Sequence, residues 1–325
     1  MTKTLGIYGP ETDRIKGKLN TLKNLFGPQY TIRFVNSNLS IPSQIESLKD
    51  LSALIAMPSI FPNELVEKCK NLKLIQVYSA GTDDLDIKYL TKNGIKVANN
   101  FGQNGVTVAE HAIGLMISVS RNFHIQITES LNGNWQSEIR ENLQNSELYG
   151  KKIGIIGFGK IGQKVAQRLQ GWECEISYND IIKIPTKIRE KLNVKEKSKE
   201  DILKKSDIIS IHVPLPDITK KLLGEKELNM MKKSSILINT SRGSVVDEKA
   251  LYKILKNKRI MGAGLDVLED ESNVNKNRPL LSLKNLFITP HLAALSLEVV
   301  HITDRFMVNN VKRFLNGDTP LSVVN

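Results

Sequence analysis

The chain reads as an α/β protein made of two doubly wound parallel-sheet domains with an interdomain cleft. Two observations predict this. Short apolar, β-branched runs recur through most of the 325 residues, separated by polar helical segments, the alternation expected of parallel strands joined by crossover helices. The runs also fall into two series, one before and one after a long helical stretch near residue 110, and each series has enough chain for its own core.

The first series has strand-like runs at Leu5–Tyr8, Ile32–Val35, Ala53–Ala56, Leu74–Val77 and Ile95–Ala98. Helical segments such as Ser43–Lys49 and Asn63–Lys70 lie between them. One long helix is expected from Thr107 to about Leu131, apolar at Val108, Ile113, Leu115, Met116 and Val119. Thr107 and Glu110 stand at capping-box spacing at its start. The second series begins at Lys151, with runs at Lys152–Ile156, Glu175–Tyr178, Asp207–Ile211, Ser235–Asn239, Met261–Leu265 and Leu286–Thr289. Six is the strand number of a complete doubly wound fold. Ser296–Leu315 is an amphipathic helix that ends at Asn316-Gly317. The expected domains are residues 1–99 with 294–325, and residues 100–293.

Composition narrows the class. No apolar run approaches membrane-spanning length, and Met1–Ile7 runs into a strand pattern rather than a signal peptide. Cys69 and Cys174 make no disulfide framework and match no metal spacing, so a reduced, cytoplasmic protein without metal is expected. The formal charge is +12, with lysines gathered at residues 183–205, 220–233 and 249–259. Acidic residues interleave with the first group, and no aromatic or recognition-helix pattern accompanies the charge. It reads as a solvated surface with no nucleic-acid partner, and the surplus draws small anions toward the molecule.

The most informative segment is Ile153-Gly154-Ile155-Ile156-Gly157-Phe158-Gly159-Lys160-Ile161-Gly162. An apolar strand leads into G-x-G-x-x-G and a helical pattern follows, with Asp180 at the end of the next run. The first Gly permits a tight turn, the second a close approach to a pyrophosphate, and the third helix-on-strand packing; the helix start supplies free N–H groups. The glycine spacing alone is weak, and its strand, helix and acid make it a dinucleotide site. Asp180, preceded by Asn179 and with no adjacent arginine, would accept from the adenosine ribose and favours NAD over NADP, whose 2′-phosphate would meet a carboxylate.

Ligands in such sheets bind outside the carboxyl ends of the strands. Conspicuous polar clusters fall there: Ser79-Ala80-Gly81, His212-Val213-Pro214, Asn239-Thr240-Ser241-Arg242-Gly243, Asp266 and Pro290-His291. A nicotinamide-linked reaction needs a proton donor or acceptor near neutrality, which suits histidine. Of the five, His111, His124 and His301 sit on helical segments, and His212 precedes Pro214 and is placed on the adenine side. His291, at the end of the last strand, is the best placed. The cluster Glu269-Asp270-Glu271 can supply a partner carboxylate, and Arg242 the planar fork that suits a keto acid.

At these residues the chain resembles the D-isomer-specific 2-hydroxyacid dehydrogenases. The resemblance rests on Ser79–Asp83, Val106–His111, Gly150–Gly159, His212–Pro216, Asn239–Glu248, Leu265–Val267 and Thr289–His291, in the family's order. It implies an NAD-dependent oxidoreductase transferring hydride between NAD(H) and a small D-2-hydroxy acid or 2-keto acid. By resemblance Arg242 binds substrate, His291 is the acid/base, Glu271 is its carboxylate partner and Asp266 meets the nicotinamide amide. Backbone N–H groups at Ser79, Ala80 and Gly81 would take the substrate carboxylate. The cofactor would lie against Gly157, Gly159, Lys160, Ile161, Gly162 and Asp180, against His212, Val213 and Pro214, and elsewhere against Thr107, Thr240, Ser241, Arg242, Asp266 and His291. The family usually has proline soon after the glutamate, whereas Ser272 follows Glu271 here, which keeps Glu269 as a contender. The resemblance also implies a homodimer, with the helix near Thr107–Leu131 at the interface. The alternatives are an NAD(H)-sensing binding protein of the corepressor type, and a dehydrogenase of another small anion such as phosphite.

Overall fold

The computed structural model describes residues 3–135, 143–215, 217–273 and 279–325. Met1, Thr2 and Pro216, which belong to segments read above, lie outside the described residues. The chain divides into two compact units, Met1–Asn104 with Ser296–Asn325, and Gly105–Leu295.

In the first unit β1 (Lys3–Gly9), β2 (Tyr30–Asn36), β3 (Ala53–Ala56), β4 (Leu74–Val77) and β5 (Lys96–Ala98) form a parallel sheet in the order β2-β1-β3-β4-β5, the flavodoxin-like order. β3 and β4 are buried along their whole length. That is why they read as unbroken apolar runs rather than as alternation. The helix Leu297–Leu315 returns to this unit. Ser296 caps it, its Oγ accepting from the Val299 N–H at 3.2 Å. Met307, Val308 and Val311 join the core formed by Leu5, Ile7, Ile55 and Leu74, each such burial stabilising by roughly 1.5–3 kcal/mol. The helix also buries polar groups that pair with the rest of the unit: Asp304 meets Lys18 at 2.8 Å, and Asn310 donates to Gln76 Oε1 at 2.6 Å.

The second unit holds β6 (Lys152–Ile156), β7 (Glu175–Asn179), β8 (Val194–Glu196), β9 (Ile208–Ile211), β10 (Ile236–Asn239), β11 (Gly262–Leu265) and β12 (Leu286–Ile288). All are parallel, in the order β12-β11-β10-β9-β6-β7-β8. Counted from β6, β8 to β11 give the 3-2-1-4-5-6 order of a dinucleotide-binding sheet, and β12 extends it by one. The strand order reverses between β6 and β9.

Three expectations need correction. Among the described residues the sheet has seven strands rather than six, and β8 escapes a hydrophobic reading because of its three residues only Val194 is buried. The long helix is two, Gly105–Ser120 and Phe123–Leu131, separated at Asn122, whose φ of 52° is left-handed. Asparagine tolerates that conformation, and the apolar repeat of Phe123, Ile127 and Leu131, all three exposed, hid the break. The capping box does not form either. The helix starts at Gly105, so Thr107 lies inside its first turn, and Glu110 pairs with Arg168 at 3.0 Å.

Candidate active site

The glycine loop lies where the sheet reverses. Gly157 has φ +89°, and a Cβ there would sit 2.5 Å from the His212 carbonyl oxygen, so only glycine lets the ends of β6 and β9 approach. A Cβ on Gly162 would stand 2.3 Å from Gly157 O, the close helix-on-strand packing expected of the third glycine. At Gly159 the same atom would meet nothing within 4 Å: the space beside the start of the Lys160–Leu169 helix is open. Asp180, at the end of β7, closes the loop. Its Oδ2 accepts from the Phe158 N–H at 2.6 Å and its Oδ1 from the Ile182 N–H at 2.8 Å.

The ends of β9 and β10 carry buried polar atoms with no partner among the described residues, His212 Nδ1 and Thr240 Oγ1. Buried orphans of this kind call for a ligand, an ion or a water. With the open space at Gly159 and the carboxylate at Asp180, they fit a dinucleotide. His212 Nε2 meets Ser210 Oγ at 2.8 Å, and burial pushes the imidazole pKa down to about 3. The folded state then binds fewer protons than the unfolded chain between about pH 3 and 6.5. Stability is fully present above pH 6.5 and is lost as the pH falls, by about 2 kcal/mol between pH 6.5 and 5. His212→Asn is expected to remove that slope in denaturant titrations at the two pH values. An unchanged slope would mean that another group carries it.

Arg242 follows β10 on a loop shaped by Asn239. The Asn239 Oδ1 accepts from the Ser241 N–H at 3.0 Å and from Ser241 Oγ at 2.7 Å, while its Nδ2 donates to Arg242 O at 2.9 Å. Arg242 Nη1 donates to Ser241 O at 2.8 Å. The next residue, Gly243, is pressed against backbone: a Cβ would lie 1.9 Å from the Leu268 carbonyl carbon. That contact sets the arginine loop against the segment that carries Glu271.

His291 follows β12. Its Nδ1 lies 2.6 Å from Glu271 Oε2, and Glu271 Oε1 accepts from the Leu268 N–H at 3.2 Å. A carboxylate only accepts, so Nδ1 carries the proton in the neutral ring and Nε2 is the ring nitrogen left to accept. Glu271 is therefore the glutamate that meets the histidine. The Glu269 backbone N–H bonds to Glu248 Oε1. His291 has φ 55°, a left-handed conformation in which asparagine, aspartate and histidine are enriched among non-glycine residues.

Asp266, 1% exposed at the end of β11, anchors this loop. Its Oδ1 accepts from Thr289 Oγ1 at 2.6 Å and the Leu292 N–H at 3.0 Å, its Oδ2 from the Ala293 N–H at 2.9 Å, and its carbonyl from the His291 N–H at 2.8 Å. His111, on the Gly105–Ser120 helix, completes the network with Nε2 2.9 Å from Thr289 Oγ1. Sequence reasoning placed His111 on a helical segment and read Thr289 only as part of the Thr289–His291 motif. Only position in space joins them, and the spacing of 178 residues gives no local signal.

In the first unit, the loop after β4 places Ser79 and Ala80 at the surface, with Gly81 half-buried. Ser79 Oγ lies 2.7 Å from Ser59 Oγ. Among the described residues, no group of three or more His, Cys, Asp or Glu side chains could hold a metal, and no helix is long and apolar enough to cross a membrane.

A carboxylate-held histidine on the same sheet edge as an open glycine cradle belongs to the pyridine-nucleotide oxidoreductases as a class. Comparison with known proteins narrows it. The sequence profile of the D-isomer specific 2-hydroxyacid dehydrogenase NAD binding domain matches residues 113–293. A glyoxylate reductase of Korarchaeum cryptofilum is 36% identical over 283 residues, covering 86% of this chain and 85% of that one. Among solved structures, a glyoxylate reductase from Paecilomyes thermophila superposes with TM-score 0.86 at 26% identity, over 100% of this chain and 99% of that one. An acyclic imino acid reductase in complex with NADPH and D-Arg gives 0.83 at 29%, over 99% and 100%. The chain belongs to the D-isomer-specific 2-hydroxyacid dehydrogenase family, as its motifs lead one to expect. It is an enzyme that works with a nicotinamide cofactor on 2-hydroxy or 2-keto acids.

Proposed function

We propose that this enzyme reduces small 2-keto acids of the glyoxylate class to D-2-hydroxy acids, with NADH as its cofactor. The observation that carries the reading is the His291–Glu271 pair at 2.6 Å, a positioned proton donor at the carboxyl edge of the dinucleotide sheet. Glyoxylate is the first candidate because the Korarchaeum relative bears that activity in its name.

When bound, the reduced cofactor supplies a hydride for the carbonyl carbon. Arg242 holds the keto acid and polarises its carbonyl oxygen, where negative charge develops. His291, protonated and stabilised by Glu271, gives its Nε2 proton to that oxygen, and the product hydroxyl forms. The N–H groups of the Ser79–Gly81 loop take the carboxylate. Gly157, Gly159, Lys160, Ile161 and Gly162 receive the pyrophosphate, and Asp180 the ribose. His212, Val213 and Pro214 border the adenine side, with Thr107, Thr240, Ser241 and Asp266 elsewhere along the cofactor.

Asp180 also supports NADH over NADPH. Its carboxylate is fixed by two backbone N–H groups and cannot swing away from a 2′-phosphate without breaking them. The NADPH in the imino acid reductase complex belongs to that protein. The test is a panel of glyoxylate, hydroxypyruvate, pyruvate and longer keto acids, each with NADH and NADPH. Oxidation of NADH with glyoxylate or hydroxypyruvate is expected, with kcat/KM about tenfold or more above that with NADPH, the factor for roughly one charge-assisted contact. Absence of turnover with every keto acid would end the substrate reading, and equal use of NADPH would end the role given to Asp180.

A further inference from the structure

The loop after β4 has every carbonyl from Tyr78 to Gly81 engaged from within its own unit. Tyr78 O accepts from Asn100 Nδ2 at 3.0 Å, Ser79 O from the Asn100 backbone N–H at 2.9 Å, Ala80 O from Asn99 Nδ2 at 2.7 Å, and Gly81 O from the Ser79 hydroxyl. The backbone N–H groups of Ala80 and Gly81 have no partner among the described residues. In a planar trans peptide the C=O of one residue and the N–H of the next point opposite ways. Fixing Ser79 O therefore fixes the direction of the Ala80 N–H. Fixing Ala80 O likewise fixes that of the Gly81 N–H.

Asn99 and Asn100 are only 8% and 4% exposed, and the Oδ1 of each is buried without a partner among the described residues. A buried amide with half its hydrogen-bonding capacity unused is a poor way to fill space. What Asn99 supplies is its Nδ2 donor, and the site that donor controls is the Ala80–Gly81 peptide. The backbone of Asn99 is itself tied to the carboxyl-terminal segment: its N–H donates to Ser322 O at 3.2 Å and its O accepts from Ser322 Oγ at 2.7 Å.

We infer that Asn99 is a positioning residue for substrate selection: it turns the Gly81 N–H toward the carboxylate of the keto acid, with Asn100 holding the neighbouring peptides. This rests on the reading above that the Ser79–Gly81 loop takes that carboxylate. Asn99→Asp replaces the donor with an acceptor facing Ala80 O, which drives the peptide out of place. Once protonated, the acid can donate again.

The experiment compares glyoxylate with glyoxylamide, its neutral analogue, in the wild type, Asn99→Asp and Asn99→Ser. Wild type is expected to prefer the acid. In Asn99→Asp near neutral pH, KM for glyoxylate should rise about tenfold, the factor for roughly one positioned hydrogen bond, with KM for NADH and kcat little changed. The acid-over-amide preference should fall by the same factor and recover as the pH is lowered. Asn99→Ser, which keeps a shorter donor, should fall between the two without that recovery, and it carries the comparison if the aspartate variant does not fold. An undiminished preference in the variants overturns the inference. A wild type that does not distinguish acid from amide overturns the underlying reading instead.

Discussion

Removing the His291 imidazole is expected to lower kcat for keto-acid reduction by about 10²–10⁴-fold, the usual worth of a positioned general acid, while NADH affinity stays close to wild type. The choice of substitution matters because His291 sits at φ 55°. Alanine there adds backbone strain to the loss of the proton donor, whereas asparagine tolerates the left-handed region and keeps the loop. His291→Asn is therefore the cleaner variant, and His291→Ala should be no more active and less stable. The loop itself should survive either change. Asp266 holds it through Thr289, Leu292 and Ala293, none of which involves the imidazole. NADH binding by fluorescence and single-turnover reduction of glyoxylate check both parts. If His291→Asn kept kcat within a few-fold of wild type, the proton would have to come from elsewhere, and the role given to the His291–Glu271 pair would be wrong.

What the sequence showed and what it hid divide along a physical line. Features whose cause is local were legible. β6 and its glycine loop can be read from ten consecutive residues, because strand burial and the turn at Gly157 both depend on residue type at fixed offsets. The returning helix at Leu297–Leu315 was legible for the same reason, with its cap at Ser296 and its apolar stripe in register. β8 was not, since one buried valine in three residues gives no pattern. The break at Asn122 was hidden because a backbone conformation changed while the apolar spacing did not. The sequence left Glu269 and Glu271 open as partners of His291, since two positions along a turn differ only in where the chain places them. Contacts made across long spans of chain were out of reach altogether. Nothing in the run Ala98-Asn99-Asn100-Phe101 says that its amides hold the carbonyls of a loop some twenty residues earlier. Nothing around His111 points to Thr289.

Gly243→Ala should be the most damaging change that removes no functional group. A Cβ at this position would lie 1.9 Å from the Leu268 carbonyl carbon, 2.2 Å from its oxygen and 2.3 Å from the Glu269 nitrogen. All three are backbone atoms, so no side chain can rotate away to make room, and one of the two segments has to shift. Arg242 sits directly before the glycine on one segment. On the other, Leu268 donates its N–H to Glu271, which holds His291. Whichever segment yields, the arginine and the histidine lose their registration with each other. A misplacement of about 1 Å can lower a rate by roughly 10²-fold, and overpacking of this kind destabilises by about 1–3 kcal/mol. The expected result is a fall in kcat/KM of about 10²-fold or more, with a modest drop in unfolding midpoint. Gly171→Ala is the matched control, because a Cβ there would meet nothing within 4 Å; it should change neither quantity. If Gly243→Ala kept kcat/KM within a few-fold of wild type, the contact with Leu268 would be incidental. The alignment of Arg242 with the Glu271–His291 pair would then have to come from elsewhere in the sheet edge.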